Sequence, residues 1–180
     1  KGESGKIPGI DVALAEGDRY KFGSFEVEVI ETPGHTAGQI NYFLPQAKVA
    51  FTGDTLFSLG CGRLFEKGAR EMWSGLEKLK RLPGDTMIYC GHEYTLSNAK
   101  FALTIEPENA ALQQRAKEVE ALRAANRPTL PVRLDLELAT NPFLRTRSPE
   151  LRAAIRARFP DAGEDDARIF AYTRRLKDEF

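Results

Sequence analysis

The chain has 180 residues, enough for one ordinary domain or for one domain with a small second domain. Its 26 basic and 26 acidic side chains give a formal net charge of zero, which removes the usual electrostatic argument for a nucleic-acid partner or an anionic membrane surface. Cys61 and Cys90 form no disulfide framework, which is typical of the cytoplasm, and we expect both to be small buried side chains.

The first half is predicted to consist of strands joined by glycine-rich turns. Apolar and acidic residues largely alternate along the first candidate strand, the period-two pattern of a half-buried strand. Met72, Leu76 and Leu79 share one face of a helix that we expect to end near Leu82. The candidate strands are residues 25–31, 39–44, 48–52 and 86–90. This order of strands and helix predicts a layered α/β unit.

The second half shows no clear strand and is predicted to be helical. Apolar residues at helical spacing predict one long amphipathic helix. Ser148 and Pro149 are typical of a helix start, and a last helix is expected to begin near residues 164–166. The face of the long helix is Leu112, Ala116, Val119 and Leu122. The sequence therefore predicts an α/β portion over residues 1–105 and a small α-helical domain over residues 106–180.

Both histidines of the chain lie in short glycine-flanked segments that follow a candidate strand. His35 and His92 hold these positions, and Asp54 follows a third strand beside Gly53. Loops at strand ends let a rigid sheet aim several side chains at one point. Imidazole and carboxylate are suitable ligands for zinc and other divalent ions, and a carboxylate can bridge two ions. Each segment alone is also typical of a turn or a helix cap, so these residues by themselves leave both readings open.

Three motifs follow one another along the chain: T-P-G-H-T-x-G at 32–38, F-T-G-D-T-L-F at 51–57 and C-G-H-E-Y-T at 90–95. In this order they resemble the hydroxyacylglutathione hydrolases (glyoxalase II) of the metallo-β-lactamase superfamily. The first two occur widely in the superfamily, whereas the third and the intervening G-C-G-R at 60–63 are more specific to glyoxalase II. The likeness continues through N-P-F-L-R at 141–145 and R-R-L-K-D-E-F at 174–180, so it covers essentially the whole chain.

The resemblance implies part of an αββα sandwich, followed by a small helical domain. It also implies that His35, Asp54 and His92 bind metal, with Asp54 bridging two divalent ions that are zinc, iron or manganese. In the family, hydroxide held between the ions attacks a thioester carbonyl, and a metal ion lowers the pKa of water from 15.7 to roughly 7. The implied reaction is hydrolysis of S-(2-hydroxyacyl)glutathione, with S-lactoylglutathione as the family substrate in methylglyoxal detoxification.

The resemblance further assigns glutathione binding to Arg63, Tyr94, Arg174 and Lys177. Basic side chains suit the carboxylates of a tripeptide thiol, and a tyrosine hydroxyl donates a hydrogen bond. Without the resemblance, Arg174 and Lys177 are more simply explained by the dipole of a helix C-terminus, and Arg63 by a solvated loop. Phe65 stands where some family members have tyrosine, so we expect one substrate contact to be missing.

The T-H-x-H-x-D-H motif that supplies the other metal ligands in the family is absent from this sequence. Because the chain also opens at Lys1, we expect the C-terminal portion of a longer enzyme, with metal ions that are undercoordinated and weakly held. Val27, Val29 and Phe43 are expected to lack covering strands, which favours association with the missing segment or a second copy. A non-catalytic module that binds glutathione conjugates and a different hydrolase of the superfamily remain the alternatives.

Overall fold

A computed structural model describes Gly5 and residues 7–180 of the chain. In this described part, six strands form one mixed sheet in the order β1-β2-β3-β4-β7-β8. They are β1 (Arg19–Phe22), β2 (Phe25–Glu31), β3 (Ile40–Leu44), β4 (Val49–Gly53), β7 (Met87–Cys90) and β8 (Val132–Arg133). All neighbours are antiparallel except β4 and β7, which run parallel. A separate hairpin follows β4 and consists of β5 (Leu56–Phe57) and β6 (Gly60–Cys61).

The described α-helices lie after the hairpin, and only one of them precedes β7. They are α1 (Ala69–Leu79), α2 (Thr95–Ile105), α3 (Ala110–Ala124), α4 (Leu134–Thr140), α5 (Pro149–Arg158) and α6 (Asp166–Glu179). One buried cluster joins the sheet to the helices, with Ile88 from β7, Leu76 from α1 and Phe170 from α6 among its members. Within the described residues, no helix combines the length and the apolar character needed to cross a membrane.

The predicted elements of the first half are confirmed to within one or two residues at most ends. The strands expected at 25–31, 39–44, 48–52 and 86–90 correspond to β2, β3, β4 and β7. α1 ends at Leu79, three residues before the expected end. The mixed α/β architecture with a helical second half is therefore as predicted.

The expectation of no strand after residue 105 is wrong, because β8 pairs with β7 and completes the sheet edge. A strand of two residues is too short to show any alternation, so the sequence carried no signal for it. α2 was also missed, for another reason. Six of its eleven residues are buried, and a helix that is covered on most sides lacks the single apolar stripe that reveals a surface helix.

Capping side chains fix three of the four helix starts after residue 105, namely those of α3, α5 and α6. The Ser148 hydroxyl accepts a hydrogen bond from Leu151 N at 3.4 Å, and the Asp165 carboxylate accepts one from Ala167 N at 3.1 Å. Such caps satisfy amide groups that have no partner inside the helix. The predicted starts near Ser148 and residues 164–166 are confirmed.

The predicted domain boundary between residues 105 and 106 falls between α2 and α3. These two helices pack together, and the boundary stays a prediction.

A buried ion pair fastens the hairpin to the helical region. The Arg115 guanidinium of α3 pairs with the Glu137 carboxylate of α4, and both side chains are almost fully buried. Glu137 Oε2 also accepts hydrogen bonds from Leu59 N at 3.0 Å and from Asn141 Nδ2 at 2.8 Å. Asn141 Nδ2 further donates to the carbonyl oxygens of Phe57 and Gly60, at 3.2 and 3.1 Å. The helices therefore hold the hairpin in place through its backbone.

The expectation that Val27, Val29 and Phe43 lack cover is wrong, since they are only 6%, 2% and 6% exposed. Alternation shows which residues share a face, but it does not show which part of a face neighbouring segments cover.

The open aromatic surface lies instead on three adjacent strands. Tyr42 pairs in register with Phe51, and Phe51 pairs with Tyr89. These three residues, the aromatic row, are 37%, 45% and 41% exposed.

Candidate active site

Strand direction brings the three predicted metal ligands to one edge of the sheet. β2, β4 and β7 all run the same way, because β3 is antiparallel to both β2 and β4, and β7 is parallel to β4. His35, Asp54 and His92 each lie shortly after the carboxyl end of one of these strands. In layered α/β proteins this end of the strands is where ligands usually bind.

Asp54 lies between the two histidines, and each carboxylate oxygen faces a different ring. Oδ2 is 3.5 Å from His35 Nε2, and Oδ1 is 3.3 Å from His92 Nε2. Both distances exceed the usual hydrogen-bond range of about 2.7–3.2 Å. Two ligand atoms that lie about 2.1 Å from one ion at a tetrahedral angle are about 3.4 Å apart. The spacing therefore suits one ion on each side of the carboxylate better than a direct hydrogen bond.

The described residues fit a two-ion centre only in part. Within this part of the chain, no group of three or more histidine, cysteine, aspartate or glutamate side chains could hold an ion. Catalytic zinc sites usually have three protein ligands, whereas each side of Asp54 offers one imidazole nitrogen and one carboxylate oxygen. Each half of the centre is therefore short of protein ligands.

The orientation of His35 is fixed by its other ring nitrogen. Nδ1 lies 3.0 Å from the Arg63 carbonyl oxygen, which can only accept a hydrogen bond, so Nδ1 donates it. In the neutral ring this leaves Nε2 unprotonated on the side of Asp54. The Phe65 ring packs on His35 with a centroid separation of 5.0 Å. A fixed tautomer and ring orientation are what a metal-binding histidine requires.

Two glycines form a cradle around Asp54. A Cβ atom at Gly62 would lie 2.0 Å from the Asp54 carbonyl oxygen, and one at Gly91 would lie 2.6 Å from Asp54 Oδ1. Neither contact is sterically possible, so the backbone approaches Asp54 only because these positions lack side chains. Both glycines belong to the motifs of the sequence, but their role as contacts of Asp54 became visible only in the structure.

All seven predicted site residues line one cleft of about 570 Å³. A cleft of this size suits a small-molecule ligand. The sequence did not indicate several other lining residues, namely Phe57, Cys61, Ser97, Asp178 and Phe180. They lie on the hairpin, on α2 and at the end of the chain, and no local spacing relates them to the histidines.

One end of the cleft is basic. Arg174 is 5% exposed, and its Nη1 donates to the Cys61 carbonyl oxygen at 2.8 Å. Lys177 Nζ donates to Ser97 Oγ at 3.2 Å, while Arg63 is exposed. Burial, followed by the charges of Arg174 and Arg63, lowers the pKa of Lys177. Arg174 and Lys177 are thus held by contacts with the hairpin and with α2, in addition to their position near the end of α6.

An aromatic wall joins the basic end to Asp54. The Tyr94 and His92 rings stack with centroids 4.8 Å apart, and the Phe57 ring meets both edge-on. Tyr94 is 50% exposed.

The expectation that both cysteines are buried is confirmed for Cys61 and wrong for Cys90, which is partly exposed. Burial raises the pKa of the Cys61 thiol to about 11. A thiol with so high a pKa is a poor nucleophile at neutral pH.

Two family models divide the chain between them. The metallo-beta-lactamase superfamily model matches residues 2–92, and the model of the hydroxyacylglutathione hydrolase C-terminus matches residues 93–180. Among solved structures, the BLEG-1 B3 metallo-beta-lactamase has a TM-score of 0.52 at 22% identity, over 75% of this chain and 49% of that one. TTHA1623 in a di-iron-bound form has a TM-score of 0.50 at 26% identity, over 76% of this chain and 50% of that one.

Curated relatives match along the entire chain. The hydroxyacylglutathione hydrolase of Brucella anthropi is 57% identical over 180 residues, which are 100% of this chain and 68% of the relative. That of Brucella ovis is 58% identical over 178 residues, which are 99% of this chain and 68% of the relative. The superfamily fold implies divalent metal ions, in agreement with the carboxylate between two histidines. The chain belongs to the hydroxyacylglutathione hydrolase family of the metallo-β-lactamase superfamily and spans about two thirds of the length of these relatives.

Proposed function

We propose that this chain is the C-terminal portion of an enzyme that hydrolyses S-(2-hydroxyacyl)glutathione thioesters, releasing glutathione and a 2-hydroxy acid such as lactate. The observation that carries the proposal is the shared cleft. Asp54 lies between two histidines at one end, and three cationic side chains lie at the other. A ligand in this cleft would have its anionic groups on the cations and its reacting carbonyl beside Asp54. The cytoplasm remains the predicted location.

His35, Asp54 and His92 are proposed to hold the metal ions, with Asp54 shared between them. When bound, a zinc, iron or manganese ion would lower the pKa of a water molecule bound to it and polarise a carbonyl oxygen. The chain's own residues keep the ligand atoms in place. Arg63 holds the His35 ring through its carbonyl oxygen, and Gly91 leaves room for the Asp54 carboxylate. A thiolate leaves readily, so the leaving group needs no general acid from this chain.

Arg63, Arg174 and Lys177 are proposed to bind the carboxylates of the glutathione moiety. Charge-assisted hydrogen bonds of this kind are about twice as strong as neutral ones. Dissolved salt screens them less in a partly buried site than at an exposed surface. Tyr94 is proposed to donate its hydroxyl to the same ligand. Phe65 offers an aromatic ring where some family members have a further hydroxyl, so this contact would be apolar.

The remaining metal ligands are proposed to come from the part of the parent enzyme that extends beyond these 180 residues. This chain covers 68% of the first relative, and among the described residues each side of Asp54 has only two protein ligand atoms. The same part of the parent is proposed to cover the aromatic row of Tyr42, Phe51 and Tyr89. A second copy of this chain is the alternative occupant, and it would show itself as dimerisation.

Release of glutathione from S-lactoylglutathione tests the proposal directly. The full-length parent should release glutathione when zinc, iron or manganese is present. The 180-residue chain should release it much more slowly under the same conditions. If the full-length parent cleaved no glutathione thioester with any of these ions, the proposal would be abandoned.

A non-catalytic module that binds glutathione conjugates is the second candidate. One observation favours it. The basic end of the cleft is assembled within the described chain, while the metal centre is only partial. Such a module would bind a glutathione thioether equally well with and without a chelator, and the full-length parent would show no hydrolysis.

A further inference from the structure

An acidic side chain lies inside the basic end of the cleft. Asp178 Oδ1 is 3.1 Å from Arg174 Nη2 and 3.8 Å from Arg63 Nε. Asp178 follows Arg174 by one helical turn on α6, whereas Arg63 lies after the hairpin, so the carboxylate joins two separate parts of the fold. Asp178 lines the cleft, and its side chain is 42% exposed.

Asp178 occupies the donors that a ligand carboxylate would need. Arg174 is almost fully buried and has its Nη1 engaged by the Cys61 carbonyl oxygen. Its Nη2 faces Asp178, and its Nε is buried with no hydrogen-bond partner among the described residues. An incoming carboxylate must therefore displace Asp178 or share Arg174 and Arg63 with it.

The charge of Asp178 also opposes that of an anionic ligand. Arg63, Arg174 and Lys177 place three positive charges at this end of the cleft, and Asp178 is the only acidic side chain among the described lining residues there. Like charges that share a small site repel each other, and the repulsion weakens with salt when the groups are partly exposed.

We propose that Asp178 is an internal counter-ion, which occupies the carboxylate subsite between Arg63 and Arg174 and competes with the ligand for it. Its charge thereby sets the affinity of the cleft for anionic glutathione conjugates. The inference rests on the proposed function, because it assigns this subsite to a carboxylate of the glutathione moiety.

The test is a calorimetric titration of the 180-residue chain with S-methylglutathione, a thioether that cannot be hydrolysed. Asp178→Asn should lower the dissociation constant about threefold, which is the size expected for a half-exposed charge pair. The gain should shrink as the salt concentration rises. Asp178→Glu retains the charge and should keep the wild-type affinity more closely than Asp178→Asn does.

Glu179→Gln is the matched control. Glu179 is the next residue of the same helix and pairs with Arg175 Nε at 2.9 Å with the same i,i+4 spacing. Of these two acids, only Asp178 lines the cleft. Glu179→Gln removes the same charge and should leave the dissociation constant of S-methylglutathione unchanged. An equal gain in both variants would mean that net charge alone acts, and it would overturn the inference.

Weaker or unchanged binding by Asp178→Asn, with clear binding by the wild type, would overturn the role of Asp178 and leave the proposed function standing. If neither chain bound the thioether, the glutathione assignment would fail instead. Titration of the same chains with inorganic phosphate, followed through the Arg Nε–H NMR signals, would then decide the inference. Tighter phosphate binding by Asp178→Asn supports the counter-ion role, and equal binding contradicts it.

Discussion

The Arg63 carbonyl oxygen accepts a hydrogen bond from His35 Nδ1 at 3.0 Å, which connects the two ends of the cleft. The side chain of Arg63 is at the basic end, while its backbone orients a predicted metal ligand. Movement of the loop after the hairpin would therefore disturb both the anion subsite and the ring of His35. The ion pair of Arg115 and Glu137, which holds the hairpin, consequently supports both ends of the site.

Glu137→Gln should destabilise the chain by about 3–5 kcal/mol, because it leaves the buried charge of Arg115 without its partner. The free energy of unfolding, measured with urea, checks this value. Glu118→Gln is the control, since Glu118 is exposed and contacts only Gln114 among the hydrogen bonds of α3. The control should change the free energy by less than about 0.5 kcal/mol. Equal small effects in both variants would contradict the role of the buried pair.

Gly91→Ala should weaken zinc binding by about tenfold or more, because the new Cβ would lie 2.6 Å from Asp54 Oδ1 and push the carboxylate away from His92. Gly84→Ala is a suitable control, since its Cβ would meet only Asp135 Cβ at 3.3 Å. Zinc affinity is measured by competition with a chromogenic chelator. Unaltered zinc affinity in a folded Gly91→Ala chain would show that the close approach of this glycine to Asp54 has no functional role.

The pH dependence of ligand binding should report on Lys177. Its pKa is lowered by burial and by nearby arginines, so the folded chain loses this proton at a lower pH than the unfolded chain. Because the unfolded state then binds more protons, the free energy of unfolding rises with pH between the two pKa values. The affinity for S-methylglutathione should fall over the same range. Lys177→Met should lack that step, and an identical pH profile in both chains would refute the assignment.

The aromatic row should promote association of the isolated chain. Phe51 is 45% exposed at the centre of the row, between Tyr42 and Tyr89. Phe51→Ser should reduce self-association in sedimentation velocity experiments, because exposed apolar patches favour contact between molecules. Phe65→Ser removes an exposed phenylalanine from the cleft and serves as the control. A wild-type chain that stays monomeric at all concentrations would argue against this surface as a docking site.

Prediction from sequence succeeded where a pattern is local. Alternation predicted β2, and the apolar spacing of Met72, Leu76 and Leu79 predicted α1. It failed where tertiary contacts decide, as for α2, which is buried at six of its eleven residues, and for the two-residue β8. The position of Asp54 between His35 and His92 depends on the shared direction of three strands, which no single segment encodes. The pairing of Asp178 with Arg63 joins residues that are far apart in the chain, so only the fold reveals it.

Asp54 is proposed to be the shared ligand of an incomplete two-ion centre. The decisive measurement is zinc content after incubation and extensive dialysis, compared between the wild-type chain and Asp54→Asn. Asparagine cannot offer two anionic oxygens, so the variant should lose at least tenfold in zinc affinity from an already weak wild-type value. Two zinc ions retained per wild-type chain would contradict an incomplete centre, and equal affinity in both chains would contradict the shared-ligand role of Asp54.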